Sequence, residues 1–288
     1  MSAGRPNRPY ATVAAFDTAL RARLKSLANE RRSVQDLRKA VAFDRLLARL
    51  QIAAPESWLL KGGVALEYRL EKARATMDVD LTSRVALNDL HDALVAAAAL
   101  PLGDYFNLRI GARSKPVADS ESYRFEVDVL YENGALFEKL RVDVGFADPW
   151  IGEPQILSGQ PLLDFAGIAP IAVRAIPLDQ HLAEKIHAYT RRYSGGESSR
   201  VKDLVDIGLL NNAEPLAPDQ LGSTLRIVFQ SRGTHDLPWA LPPPPEWWRP
   251  TYARLAEGLP VPQSCEEAHQ VAAAALAPAF DVALREQG

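Results

Sequence analysis

The sequence predicts a mixed α/β protein, and three stretches carry this prediction. The stretch WLLKGGVALEYRL (residues 58–70) joins a short apolar run to paired glycines and then to a helical spacing of apolar residues. Residues 123–146 alternate in polarity and contain a central turn, which is typical of two paired strands. From residue 177 onwards a helical apolar spacing returns. We therefore expect a mixed β-sheet early in the chain and helices late.

The expected architecture has two lobes separated by a central cleft. Residues 1–165 form the lobe with the mixed sheet, and residues 166–288 form a mainly helical lobe. The stretch from 148 to 175 mixes proline and glycine with short apolar runs, so it is interpreted as an extended crossing between them.

Composition excludes several classes of protein. With 288 residues, 47% of them hydrophobic and 24% charged, the chain is long and apolar enough for one large or two modest globular domains. No apolar segment is long enough to span a bilayer or to act as a signal peptide, so we expect a cytoplasmic protein without a membrane partner. A single cysteine and five histidines without ligand spacing do not support a zinc site.

The first candidate motif is Lys61-Gly62-Gly63, between the apolar run and the predicted helix. Glycines let the backbone approach an anion closely, and the free amides at a helix N-terminus point towards it. The order of strand, paired glycines and helix is therefore typical of a phosphate-binding turn.

The second candidate motif is MDVDL, in which Asp78 and Asp80 alternate with apolar residues. Alternate side chains of a strand share a face, so the two carboxylates project together while their apolar neighbours face the core. Two adjacent carboxylates repel each other, and Mg²⁺ relieves that repulsion while also binding substrate phosphates. The motif therefore predicts a divalent metal site.

Charge is distributed unevenly along the chain. Residues 1–50 contain eleven Lys/Arg and four Asp/Glu, a net charge of +7, which leaves −10 for the remainder of a chain with net charge −3. Ser33 and Asp36 form a capping-box pattern, which predicts a helix after a break near Arg32. Two interpretations of the basic residues remain open, a solvated helix face and a grip on the phosphates of a nucleic acid. The candidate RNA-binding residues are Arg31, Arg32, Arg38 and Lys39.

The motifs together resemble a known family. A GG turn followed by Asp-x-Asp on the next strand is the pattern of the nucleotidyltransferase superfamily. The letters around it, Leu66 and Arg74-x-Thr76-x-Asp78-x-Asp80, resemble the AbiEii/MenT-type nucleotidyltransferases, the toxins of type IV toxin–antitoxin and abortive-infection systems. Two later stretches, EKIHA with Lys185 and the run RVKDLVD (residues 200–206), resemble later motifs of the same family.

The resemblance implies a set of site residues. A third carboxylate on a strand beside the first two would complete the metal site; we expect Asp143, with Asp128 in reserve. Lys185 would contact the triphosphate, and Asp203 or Asp206 would be the essential acid of the later motif. The wider set of expected nucleotide-binding residues is Lys61, Gly62, Gly63, Arg74, Thr76, Lys185, Arg200 and Lys202. The simpler interpretation of the late motif is a solvent-exposed Lys185 and an ordinary helical pair between Lys202 and Asp206.

The function implied by the resemblance is Mg²⁺-dependent transfer of a nucleotide from an NTP to RNA, with Mn²⁺ as a substitute metal. The expected acceptor is the 3′ end of tRNA, whose extension would block translation, and the expected partner is an antitoxin encoded nearby. Two alternatives remain: a nucleotidyltransferase acting on a small molecule such as an antibiotic, and a non-catalytic nucleotide-binding protein. The NTP, the RNA, the number of added nucleotides and the oligomeric state are left open.

Overall fold

The computed structural model describes residues 8–112, 114, 122–145, 148–191 and 200–285. The chain divides into two compact units. Unit 1 comprises Met1–Arg69, Ala75–Phe146 and Ile156–Ala175, and unit 2 comprises Leu70–Arg74, Ala147–Gln155 and Ile176–Gly288. The lobe boundary expected at residue 165 stays a prediction.

A seven-stranded sheet with helices forms the first part of the described chain. Its elements are α1 (Val13–Leu27), α2 (Val34–Ala53), β1 (Trp58–Lys61), α3 (Gly62–Arg69), β2 (Asp78–Ser83), α4 (Leu90–Ala98), β3 (Phe106–Ile110), β4 (Ser122–Tyr131), β5 (Leu136–Gly145), β6 (Gln155–Ser158) and β7 (Ala172–Ala175). The strand order is β3-β4-β5-β2-β1-β7-β6. β2 runs parallel to β5 and antiparallel to β1, and β1 runs parallel to β7. The predicted mixed sheet is confirmed, and β6 and β7 extend it.

Alternation along the central strands separates two faces of this sheet. Val79 and Leu81 of β2 and Val142 and Val144 of β5 are fully buried, in one apolar core with Leu46 of α2. Helix α2 therefore packs on the apolar face, and the intervening residues of β2 and β5 point to the opposite face. We call that opposite face the charged face; its residues on the central strands are Lys61, Asp78, Asp80, Arg124, Glu126, Asp128, Lys139, Arg141 and Asp143.

The predicted start of α2 is confirmed by its cap. The Ser33 hydroxyl accepts a hydrogen bond from the Asp36 amide at 3.1 Å, and the Asp36 carboxylate accepts one from the Ser33 amide at 2.9 Å. This capping box satisfies two amides that the first turn of a helix leaves without partners.

Unit 2 is mainly helical in its described residues. Its helices are α5 (Leu178–Thr190), α6 (Val201–Asn211), α7 (Pro218–Arg232), α8 (Arg249–Ala256) and α9 (Cys265–Arg285). The predicted SGGESS loop, residues 194–199, lies outside the described residues. No helix in the described part of the chain is long and apolar enough to cross a membrane.

Candidate active site

The glycine turn lies directly against the Asp-x-Asp strand. Gly62 has φ +63°, a conformation that residues with a side chain rarely adopt. A Cβ added at Gly62 would lie 2.0 Å from Oδ2 of Asp80, well inside contact distance. Glycine is therefore required here for two reasons, and it brings the start of α3 against the Asp80 carboxylate.

The second glycine connects the same two motifs at a neighbouring point. A Cβ added at Gly63 would lie 2.3 Å from Oγ1 of Thr76. The Thr76 amide donates a hydrogen bond of 2.9 Å to Oε1 of Glu67, which lies on α3 with Gly63. The two motifs are therefore one interlocked structure.

The strand register places the third candidate carboxylate next to the first two. Asp80 of β2 is paired with Asp143 of the parallel strand β5, and on its other side with Lys61 of β1. Neighbouring strands are about 4.8 Å apart, so Asp80 and Asp143 are adjacent on the charged face. Asp78, two residues before Asp80 on β2, points to the same face.

The reserve candidate, Asp128, lies elsewhere on the charged face. It is paired in register with Lys139, two steps along β5 from Asp143. Arg109 lies 2.5 Å from its carboxylate and Lys139 lies 3.6 Å away. These cations lower the pKa of Asp128, through the hydrogen bond from Arg109 above all. Its position favours Asp143 as the third carboxylate.

Two arginines that the sequence reasoning missed contact the candidate carboxylates. Arg124 of β4 donates two hydrogen bonds to Asp143, from Nε to Oδ1 at 2.8 Å and from Nη2 to Oδ2 at 2.7 Å. Nε of Arg141 lies 2.8 Å from Oδ1 of Asp78. Their signal in the sequence is position: both alternate with apolar residues in the predicted hairpin and so share a face with the carboxylates.

The donor chemistry of this face fits a divalent cation. Carboxylate oxygens are the hard ligands that Mg²⁺ and Mn²⁺ prefer, and the lack of a Cβ at position 62 makes room for the Asp80 carboxylate. Within the described residues, no three side chains of His, Cys, Asp or Glu converge on one point as they stand. Asp78 and Asp143 are engaged instead with Arg141 and Arg124.

A second cluster of candidate residues lies inside unit 2. Arg74 donates hydrogen bonds to both oxygens of Asp206, at 2.8 and 2.7 Å. Nζ of Lys185, on α5, lies 2.7 Å from Oδ2 of the same carboxylate. The side chain of Asp206 is 0% exposed. Three separate segments therefore meet at one buried carboxylate.

Asp203, one turn earlier on α6, completes this cluster. Its Oδ1 lies 3.2 Å from Nζ of Lys185, and its Oδ2 lies 3.6 Å from Nη1 of Arg200. Lys202 is exposed, whereas Asp203 and Asp206 are buried. The expectation of a surface pair between Lys202 and Asp206 is therefore wrong, because Asp206 points inward to Arg74 and Lys185.

Mutual attraction keeps the buried groups ionised. Burial alone raises the pKa of Asp206, but the charges of Lys185 and Arg74 outweigh it and hold the pKa well below its usual range. Burial lowers the pKa of Lys185, but Asp206 and Asp203 outweigh it and raise the pKa above its usual value. The cluster is thus a set of compensated buried charges.

The candidate RNA-binding residues near the start of α2 belong to neither cluster of candidate site residues. Arg32 contacts Glu67 at 3.3 Å and also Gln160, while Arg38 lies 3.8 Å from Glu138 and stacks on the Phe137 ring. Nζ of Lys39 lies 3.5 Å from Sδ of Met77, and Arg31 is exposed. Since α2 packs on the apolar face of the sheet, these cations are not on the charged face with Asp78 and Asp80.

Taken with the mixed sheet, the interlocked glycine turn and the row of carboxylates define the class of protein as a nucleotidyltransferase. Residues 45–286 match the family model described as "Nucleotidyl transferase AbiEii toxin, Type IV TA system". The chain belongs to this family, and it is a nucleotidyltransferase toxin of a toxin–antitoxin system. The resemblance seen in the sequence is confirmed.

Among solved structures, MenT4 supports the fold. MenT4, the nucleotidyltransferase toxin Rv2826c from Mycobacterium tuberculosis H37Rv, is 15% identical, with a TM-score of 0.53 over 91% of this chain and 98% of that chain. JHP933 from Helicobacter pylori is 14% identical, with a TM-score of 0.46 over 89% of this chain and 96% of that chain. No curated protein matches the sequence. At this identity the likeness to MenT4 shows the fold alone.

Proposed function

We propose that this enzyme uses Mg²⁺ to transfer a nucleoside monophosphate from an NTP to the 3′ hydroxyl of an RNA, specifically the acceptor end of tRNA. The observation that supports this most is the adjacency of Asp80 and Asp143 on neighbouring strands, with Gly62 packed against Asp80. Such a row of carboxylates beside a glycine turn is suited to holding a metal–triphosphate. Extending the tRNA 3′ end would block aminoacylation and hence translation.

The residues of the charged face around Asp80 each have a part in this proposal. Asp78, Asp80 and Asp143 hold the metal, which when bound neutralises the triphosphate and promotes ionisation of the attacking hydroxyl. The amides at the start of α3, from Gly62 and Gly63, donate to phosphate oxygens. The ammonium of Lys61, in register with Asp80, adds positive charge at the same point.

The transfer itself is a substitution at the α-phosphorus of the NTP. The 3′ oxygen of the RNA forms a bond to that phosphorus, and the bond from the phosphorus to the bridging oxygen breaks. Pyrophosphate leaves with the electron pair, and the hydroxyl proton passes to a carboxylate of the charged face. The surrounding cations stabilise the charge that spreads over the phosphoryl oxygens.

The residues of unit 2 have a second part. We assign Lys185 to the triphosphate, with Arg74, Arg200 and Lys202 of unit 2 and Thr76 of unit 1 as further nucleotide contacts. Of the two acids that the sequence could not separate, Asp206 is the stronger candidate for the essential one. It binds both Lys185 and Arg74, so its loss would release two cations at once.

The remaining assignments concern partners. A toxin of a type IV system implies a cognate antitoxin. The cytoplasm is the compartment in which tRNA and NTPs are available. The basic residues Arg31, Arg32, Arg38 and Lys39 remain candidates for RNA contacts, although two of them, Arg32 and Arg38, already form ion pairs within unit 1.

The direct test supplies the enzyme with Mg²⁺, each labelled NTP in turn, and total RNA that includes tRNA. We expect label on tRNA, none when the 3′ ribose has first been oxidised with periodate, and none with the Asp80→Asn variant. Label on other RNA but not on tRNA would overturn the choice of acceptor. Label on an aminoglycoside included in the same reaction would identify a small-molecule enzyme instead.

A further inference from the structure

Arginine–aspartate pairs recur along the charged face of unit 1. Arg124 binds Asp143, Arg141 contacts Asp78, and Arg109 contacts Asp128. The first two pairs involve carboxylates that the proposed function assigns to the metal. The third pair has the same chemistry but involves no proposed ligand. A guanidinium bound to a carboxylate competes with a metal ion for the oxygen lone pairs that it occupies, so the first two pairs should weaken metal binding.

The exposure of Arg124 and Arg141 allows each of them to change its partner. The side chain of Arg124 is 32% exposed and that of Arg141 is 48% exposed. Either guanidinium can therefore leave its aspartate without first being removed from a buried core. Water and side-chain entropy offset part of the attraction in such partly exposed pairs, so they are easier to break than a buried pair, although the two-point contact of Arg124 strengthens its pair. By contrast, the Arg49–Asp104 pair of the same unit is almost completely buried and is fixed.

The charge around Arg124 comes from the whole row of acids. Arg124 donates two hydrogen bonds to Asp143, which is in register with Asp80, and Asp78 lies on the same face of β2. Arg124 is therefore a permanent cation beside the three acids that are proposed to bind metal. Once those acids bind a metal ion, the guanidinium loses its partner beside an incoming polyphosphate, the anion that arginine binds best.

We propose that Arg124 and Arg141 are exchangeable positioning residues: each holds a metal-binding carboxylate, competes with the divalent cation for it, and moves to the triphosphate when the cation binds. This inference rests on the proposed metal site of Asp78, Asp80 and Asp143. It assigns a role to two residues that the sequence motifs do not contain. It also gives the enzyme an order: the carboxylates are neutralised first by arginine and then by metal, so they never face each other without a cation.

The test measures Mn²⁺ binding by calorimetry without nucleotide, and then the binding of a non-hydrolysable NTP analogue in the presence of Mn²⁺. For Arg124→Gln we expect Mn²⁺ to bind about two- to fivefold more tightly, because a competing cation is gone. We expect the analogue to bind about tenfold more weakly, because a charge-assisted bond to phosphate is lost. Arg124→Lys keeps the positive charge, so its affinities for Mn²⁺ and for the analogue should lie between those of Arg124→Gln and wild type.

Arg109→Gln is the matched control, since it removes an arginine from the same face but from a carboxylate that binds no metal in this proposal. It should change neither affinity. Thermal melting of each variant checks folding, and Arg141→Gln provides a second variant, at the more exposed arginine, if Arg124→Gln does not fold. Unchanged Mn²⁺ affinity, or unchanged analogue affinity, in a folded Arg124→Gln protein overturns the proposal.

The outcome also separates this inference from the proposed function. If the wild-type protein binds Mn²⁺ and the Asp80→Asn variant does not, the metal site stands. An Arg124→Gln protein identical to wild type then overturns the exchange alone. If wild type shows no Mn²⁺ binding that depends on Asp80, the metal site and the exchange are both wrong.

Discussion

Unit 1 and unit 2 each contain arginine–aspartate pairs, but in opposite surroundings. On the charged face of unit 1, the arginines paired with Asp143 and Asp78 are a third to a half exposed. In unit 2, Asp206 is fully buried beneath Arg74 and Lys185, which are themselves only 13% and 12% exposed. Both sets of ion pairs join arginine to aspartate, so the exposed fraction of the side chains is what distinguishes them.

The difference separates two tasks. An exposed pair is worth little and can be given up to a ligand, whereas breaking a buried pair leaves a charge without compensation. The cluster around Asp206 joins the segment Leu70–Arg74, helix α5 and helix α6 within unit 2. We infer that the buried cluster holds these segments together and so fixes Lys185 and Arg74 in place for the nucleotide, while the arginines on the charged face of unit 1 can exchange partners.

The largest expected effect follows from the buried cluster. Asp206→Asn removes the charge that compensates Lys185 and Arg74, so we expect it to lower the free energy of unfolding by about 3–5 kcal/mol. Asp128→Asn, which breaks an exposed pair, should cost less than about 1 kcal/mol. Urea unfolding of both variants gives the comparison. Equal losses would mean that burial does not distinguish the two units.

An intermediate effect is expected at the glycine turn. Gly62→Ala pays about 1–2 kcal/mol for a side chain at positive φ, and it also displaces the Asp80 carboxylate, so transfer should fall sharply. Gly134→Ala is the matched control, because Gly134 has φ +85° but nothing within 4 Å of an added Cβ. Gly134→Ala should lose stability but keep its transferase activity. If the two alanine variants retain equal transferase activity, the contact between Gly62 and Asp80 has no catalytic importance.

The smallest expected effect concerns RNA binding by the α2 region. Reversing Arg32 or Arg38 would break contacts inside unit 1, so the informative change is Arg31→Glu combined with Lys39→Glu. Each lost phosphate contact should reduce the slope of log affinity against log salt by about 0.7. Arg254→Glu, an exposed reversal on α8, is the control. A slope unchanged from the control would identify the basic segment as a solvated helix face.

Much of the fold was predictable because its signals are local. The cap at Ser33 lies within four residues of its partner, and the alternation of Asp78 and Asp80 fixes a shared face without knowledge of the rest of the chain. The hairpin of β4 and β5 was predictable for the same reason. The glycine turn and the carboxylates were each predicted as a motif, but the contact between the two motifs was not predicted.

The rest depends on pairings between distant segments. β1 lies beside β7, more than 100 residues later, and β3 was not predicted at all. Alternation marks a residue as facing one side of a sheet but gives neither the register of a hairpin nor the distant strand that lies beside it. Arg124 could therefore not be matched to Asp143, nor Arg141 to Asp78. Similarly, no local pattern joins Arg74 to Asp206, 132 positions away.

The choice between Asp143 and Asp128 tests the account most directly, because both are aspartates of the charged face paired with arginine, and only Asp143 is adjacent to Asp80. The measurement is the rate of labelled nucleotide transfer to tRNA by Asp143→Asn and Asp128→Asn under identical conditions. A lost metal ligand should cost about a hundredfold or more, so Asp143→Asn should be nearly inactive while Asp128→Asn stays within about twofold of wild type. Full activity in Asp143→Asn, or inactivity in Asp128→Asn alone, would contradict the assignment of the carboxylate row as the catalytic centre.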